Sequence, residues 1–164
     1  AGAFGGDMSE NLIWAELLTK NGREKFSVEQ MGYGYRTSIL KRGEINAIVL
    51  SALLRLKNST KEDVSVKIEE FSGRRKTTQP PGASMGSMFK NPAGDHAGRL
   101  IEAAGLKGTR IGNAEISKLH GNFFINHGET KAEDIHALIR SVQETVAKKL
   151  NVQLDLEVEL VGEW

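Results

Sequence analysis

A mainly apolar run from Leu12 to Leu18 breaks at Lys20-Asn21-Gly22-Arg23 and resumes through Phe26. Asn and Gly both tolerate positive φ, so this spacing predicts a hairpin. Ile45 to Leu56, rich in branched side chains, reads as a buried strand. Ser59-Thr60-Lys61-Glu62 then carries a capping pattern, with Val64, Ile68 and Phe71 at helical spacing behind it. That helix is expected to fade near Gly73, and Pro80-Pro81-Gly82 is a hard break. Asp95 to Ala104 predicts a short helix closed by Gly105. Short strands follow around 111–116 and 123–126. Thr130-Lys131-Ala132-Glu133 is a second capping box, opening a helix whose apolar face is Ile135, Leu138, Ile139, Val142 and Val146. The end alternates: Val152, Leu154, Leu156, Val158 and Leu160 on one side, Gln153, Asp155, Glu157 and Glu159 on the other. Period two predicts a strand with one wet face.

Strands and helices in this mixed order imply an α+β fold with mainly antiparallel pairing. Composition narrows the class. Apolar residues at 39% and charged residues at 26% suit a globular chain of 164 residues. The balance of 22 basic against 21 acidic side chains argues against a protein built mainly to neutralise nucleic-acid phosphate. The absence of cysteine excludes disulfides, thiol nucleophiles and Cys-ligated metals. The longest apolar run is interrupted by Asn46, Ser51 and Arg55 and is too short to span a bilayer. The expectation is a soluble, cytoplasmic protein with neither membrane nor nucleic-acid partner. The chain opens without Met, so the natural N-terminus is expected to be absent.

Four stretches could carry chemistry. Ala1-Gly2-Ala3-Phe4-Gly5-Gly6 is either a flexible end or a small-residue segment that lets backbone N–H groups approach a phosphate. Tyr33-Gly34-Tyr35-Arg36-Thr37-Ser38 places an Arg beside aromatics, to bind a carboxylate or merely to pack on tyrosine. Gly82 to Pro92 offers Ser87, Lys90 and Asn91 around Gly86, as an anion site or as a bare turn. Asp155, Glu157 and Glu159 read on their own as a solvated face. His96, His120, His127 and His136 lack metal-ligand spacing, so no metal is expected. His136 reads as a surface residue.

Taken together, these stretches resemble the UDP-N-acetylenolpyruvoylglucosamine reductase family. Ala1 to Gly6 is similar to the end of its flavin-binding motif, and Tyr35-Arg36-Thr37-Ser38 to its Tyr-Arg-x-Ser. Gln79-Pro80 with Gly86-Ser87-Met88-Phe89-Lys90-Asn91-Pro92 resembles its most specific signature. Ala97-Gly98-Arg99-Leu100-Ile101-Glu102, Gly105-Leu106-Lys107-Gly108, Arg110-Ile111-Gly112, His120-Gly121-Asn122-Phe123 and Glu157 to Gly162 continue in family order. The family's N-terminal flavin domain and Pro-Gly-rich phosphate loop have no counterpart. A long insertion with a substrate-clamping tyrosine has no room, which matches the shorter branch. Glu159 stands where some members carry Arg.

The resemblance implies the rest of a flavin domain over 1–75, a substrate domain over 76–152, and a strand over 153–164 returning to the flavin domain. It implies an enzyme in which NADPH reduces FAD, and the reduced flavin passes hydride to the enolpyruvyl ether of a UDP-sugar. Negative charge then develops on the α-carbon and spreads into the carboxylate, and groups aimed at that charge set the rate. By carry-over Arg36 and Glu157 stabilise this intermediate and Ser87 protonates the α-carbon. Glu157 beside such an anion would have to hold its proton. Asn91, Lys107 and His120 fall on substrate-binding positions, and Gly2, Ala3, Gly5, Gly6 and Tyr35 on flavin-binding ones. A second reading is a nucleotide-sugar binding module without redox function.

Overall fold

The hairpin forms where the pattern places it, with a different tip. β1 (Gly2–Ala3) and β2 (Gly6–Asp7) make a first small antiparallel pair, followed by the single-turn α1 (Met8–Asn11). β3 (Leu12–Thr19) then pairs with β4 (Gly22–Ser27), Thr19 opposite Gly22, so Lys20-Asn21 is the tip. Only Gly22 takes positive φ, +105°, as in the bulge that often follows a two-residue turn. Asn21 N–H is held instead by Thr19 Oγ1 at 3.0 Å. The computed structural model describes residues 2, 3 and 5–163, and the chain divides into two units, Ala1–Ile68 and Glu69–Trp164.

In the first unit, β5 (Ile48–Leu54) completes an antiparallel sheet with β3 in the middle. The expectation of a buried strand is corrected here: all seven β5 residues are exposed, Ile48 at 64% and Leu53 at 43%. The unit's buried core is Leu12, Ala15 and Leu17 of β3 with Met31, and it lies beside the central strand rather than the edge. Branched residues favour an extended backbone whether or not the strand is covered. The following helix, α2 (Lys61–Thr78), also departs from expectation. Thr60 Oγ1 accepts from Asp63 N–H at 3.1 Å, so the cap falls one residue after Ser59. The helix runs through Gly73, supported by Arg75 and Lys76 in its last turn. Val64 and Ile68 are exposed and Phe71 half-buried, so no apolar face closes over them.

The second unit, which begins within α2, holds a four-stranded antiparallel sheet in the order β6-β9-β8-β7 and the helices α3 and α4. In chain order these are β6 (Ala83–Ser87), α3 (Ala97–Ala103), β7 (Arg110–Ile111), β8 (Ala114–Ile116), β9 (Phe123–Asn126) and α4 (Ala132–Leu150). α4 contacts β7, β8 and α3, and its Leu138, Ile139, Val142 and Val146 are buried as the periodicity predicts. They join Met88, Phe89, Leu100, Ile101, Ile116, Phe124 and Leu154 in one core, where Phe89 and Phe124 meet edge to face at 6.3 Å. The start of α4 is one residue off the predicted box: Asp134 Oδ2, not Glu133, accepts from the N–H of Lys131. His136 is half-buried rather than on the surface.

The terminal strand is also corrected. Val152, Leu154 and Leu156 turn inward while Gln153 and Asp155 stay exposed, so the alternation is real. The segment nevertheless makes only an isolated bridge, Leu156 opposite Phe89. Its backbone is claimed piecemeal: Lys90 N–H donates to Asp155 C=O at 2.8 Å, Glu157 N–H to Met88 C=O at 2.9 Å, and the Gln143 amide to Leu154 C=O at 2.9 Å.

Candidate functional site

Ser87 owes its position to a bulge. Along β6, Ala83 and Ser84 pair with Asn126 and Ile125, and Ser87 then pairs with Phe123, one residue out of register. Strand alternation would give the place opposite Phe123 to residue 86; the extra residue hands it to Ser87 instead. Gly86, with φ +84°, supplies the backbone conformation that a residue bearing Cβ resists. A short loop then follows, and the Asn91 carboxamide oxygen accepts from Ala97 N–H at 3.0 Å at the start of α3.

This loop, α3 and the 119–122 segment border a cleft of about 310 Å³, lined by Ser87, Asn91, Arg99, Glu102, His120 and Asn122 among others. That volume lies at the lower end of the range for small-molecule sites. Three residues chosen from separate motifs, Ser87, Asn91 and His120, therefore share one wall. Close packing builds that wall. A Cβ on Gly98 would stand 2.9 Å from His120 Cε1, and one on Gly121 would stand 2.9 Å from Gly98 C=O. Asn122 N–H donates to His120 Nδ1 at 3.2 Å. Nδ1 must carry the lone pair, so a neutral ring holds its proton on Nε2. Burial pushes the His120 pKa down, and the charge of Lys107 adds to this while Glu102 opposes it. Lys107 itself is held by Glu102 at 2.8 Å. Arg99 pairs with Asp95 one turn back, and that contact holds the Asp95 carboxyl down at about 2. The cleft thus presents the hydroxyl, carboxamide and imidazole groups of Ser87, Asn91 and His120 with one guanidinium, Arg99, and one carboxylate, Glu102.

Glu157 enters through its backbone, whose N–H donates to Met88 C=O beside Ser87. It is half-buried between the exposed Asp155 and Glu159. Arg36 belongs to the other unit. Tyr35 and Arg36 form the tip of a tight turn closed by paired Gly34 and Thr37 bonds at 3.2 Å, with Arg36 at φ +56°. Its guanidinium lies 5.6 Å from the Tyr35 ring and donates to Gly2 C=O at 3.4 Å. A side chain on Gly2 would press on that guanidinium, at 3.1 Å. Gly2, Tyr35 and Arg36 are thereby gathered in one place. Ala1 and Phe4 of that motif lie outside the described residues.

The sequence reading missed Arg99, Glu102 and Asn122 as cleft residues. Arg99 and Glu102 stand in a motif that gave them no role. Asn122 works through backbone contacts that no residue pattern reveals. Among the described residues no helix is long and apolar enough to cross a membrane.

An α+β unit with a polar cleft of this volume at a sheet bulge has the form of a small-molecule binding domain. The family described as "UDP-N-acetylenolpyruvoylglucosamine reductase, C-terminal domain" matches residues 77–161. The chain is 47% identical to the UDP-N-acetylenolpyruvoylglucosamine reductase of Chloroflexus aggregans over 98% of its length and 56% of that protein's. It is 42% identical to that of Bacillus subtilis, over 99% and 54%. The crystal structure of the Thermus caldophilus UDP-N-acetylenolpyruvylglucosamine reductase superposes with a TM-score of 0.83 at 41% identity, over 97% of this chain and 56% of that one. The chain belongs to the UDP-N-acetylenolpyruvoylglucosamine reductase family, and spans about half the length of these relatives.

Proposed function

We propose that this chain supplies the substrate-binding and protonating half of an oxidoreductase that reduces the enolpyruvyl ether of UDP-N-acetylglucosamine to UDP-N-acetylmuramate, in peptidoglycan precursor synthesis. The observation that carries the reading is the convergence of Ser87, Asn91 and His120 on one cleft, although they come from separate stretches of the chain. Lys107, held at Glu102, adds a cation for the diphosphate. His120, neutral with its proton on Nε2, offers a donor to sugar or phosphate oxygen. Ser87 Oγ delivers a proton to the substrate's α-carbon, a task within reach of a hydroxyl because that carbanion is strongly basic. Glu157 and Arg36 are assigned the stabilisation of the enediolate-like charge. Gly2, Ala3, Gly5, Gly6 and Tyr35 would hold one edge of the flavin, with Arg36 beside them. Bound flavin, recharged by NADPH, supplies the hydride. The rest of the flavin's site and the cytoplasmic setting belong to this reading.

The test is made in a protein of the family's full length that carries this chain. Ser87→Ala should leave flavin reduction by NADPH unchanged and slow flavin reoxidation by the enolpyruvyl substrate by about 10²–10⁴-fold. Equal slowing of both half-reactions would make Ser87 structural and defeat the assignment. A binding module without redox function would reduce no flavin at all.

A further inference from the structure

Asn122 stands out among the residues that the reaction does not use. It is 3% exposed, one of two buried polar residues among those described. Its carboxamide oxygen accepts from Phe89 N–H at 2.9 Å, and its carboxamide nitrogen donates to Phe89 C=O at 2.8 Å. Its backbone C=O accepts from Met88 N–H at 2.9 Å, and its backbone N–H donates to His120 Nδ1 at 3.2 Å. One side chain thus closes a ring of two bonds on the peptide groups that follow Ser87. The same residue's backbone fixes the proton of His120.

The strand ladder explains why such a clamp is needed. β6 ends at Ser87, and beyond the bulge neither N–H nor C=O of Phe89 is paired within the ladder. Phe89 is buried, so both groups would be left without a partner in the core. Asn122 mimics a neighbouring strand, with one acceptor and one donor in the spacing of a peptide.

We propose that Asn122 is the positioning residue of the cleft, holding Ser87 at the proton-delivery position through Phe89 and presenting His120 as an Nε2–H donor. This deepens the functional reading above and rests on it for the identity of the ligand. Any substrate atom facing His120 Nε2 must accordingly be a hydrogen-bond acceptor. Aspartate cannot replace Asn122 without loss, because an ionised carboxylate keeps the acceptor for Phe89 N–H but has no donor for Phe89 C=O.

Amide hydrogen exchange on the 164-residue chain tests the clamp without any ligand. In Asn122→Ala, exchange at Met88 and Phe89 should accelerate about tenfold or more while Ile139 and Val142 in α4 stay unchanged. Asn122→Asp should lie between parent and alanine. Titration with UDP-N-acetylglucosamine, followed by amide shifts at Ser87 and His120, should show about tenfold weaker binding in Asn122→Ala. Unchanged exchange at Phe89, or equal acceleration throughout α4, overturns the positioning role. If the parent fails to bind the probe while Phe89 responds as expected, the ligand reading falls and the clamp stands.

Discussion

The two units resolve the same problem, covering a sheet, to very different extents. In the second, α4 lays Leu138, Ile139, Val142 and Val146 against β7 and β8, and residues of α3, β8 and β9 join them with Met88, Phe89 and Leu154 in one core. In the first, the buried core is four residues, and β5 carries Ile48, Val49, Leu50, Leu53 and Leu54 in solvent. The difference teaches where rigidity is built. The cleft of Ser87, Asn91 and His120 rests on a closed core, whereas the Tyr35–Arg36 turn belongs to a unit whose edge strand is bare. An exposed apolar edge of this kind is a pairing hazard in any chain that leaves it open.

The contrast breaks first at the core. Phe124→Ala should cost about 3–5 kcal/mol in the second unit, through lost burial and the cavity left under Phe89. Leu53→Ala in β5 should stay within ~0.5 kcal/mol, since that side chain is already wet. Denaturant unfolding followed by exchange in each unit measures both, and comparable losses would mean β5 is covered after all.

A smaller effect is expected at the bulge. Gly86→Ala forces a Cβ into φ +84° and should cost of order 1–3 kcal/mol. It should also displace Ser87 from its place opposite Phe123. Loss of the Ser87–Phe123 cross-strand contact in a nuclear Overhauser spectrum would register it, and an unchanged contact would show that the bulge does not depend on glycine.

Smallest is the pH dependence, which sets His120 of the second unit against Tyr33 of the first. His120 has a folded pKa below its ordinary 6.5, so the unfolded chain binds the extra proton first. Stability from this group is complete above pH 6.5 and declines as pH falls through the lowered value. Tyr33 in the first unit is pushed above 10 by burial. Its stabilising contribution is complete below pH 10 and declines as pH rises toward the higher value. His120→Gln should flatten the acid slope of the second unit alone, and Tyr33→Phe the alkaline slope of the first. An acid slope that survives His120→Gln would assign it to another group; Asp95, at about 2, titrates too low to account for it.

Much of this was readable in the amino-acid order. Periodicity located α4 to its buried residues, because a helix packed on one face repeats its burial every turn. The hairpin at Asn21-Gly22 was legible, although its tip lay one residue earlier, since only Gly22 needed the left-handed conformation. The burial of β5 was not legible: Ile48 to Leu54 looks alike whether covered or bare. Nor was the reduction of the last strand to a single bridge, since alternation at 152–156 looks alike whether or not a neighbouring backbone pairs along it. Motif order picked out Ser87, Asn91 and His120, and the cleft joins them. Asn122 escaped because its work is done on Phe89's backbone, which carries no side-chain signature.

The central claim is that the second unit's cleft receives the enolpyruvyl UDP-sugar. It is tested most directly by titrating the isotopically labelled chain with that compound and mapping the amides that move. The account predicts saturable shifts at Ser87, Asn91, Lys107 and the 119–122 loop, abolished by UDP-N-acetylmuramate in excess. Saturation with shifts confined to β3, β4 and β5, or no shift at the cleft at any concentration, would contradict it.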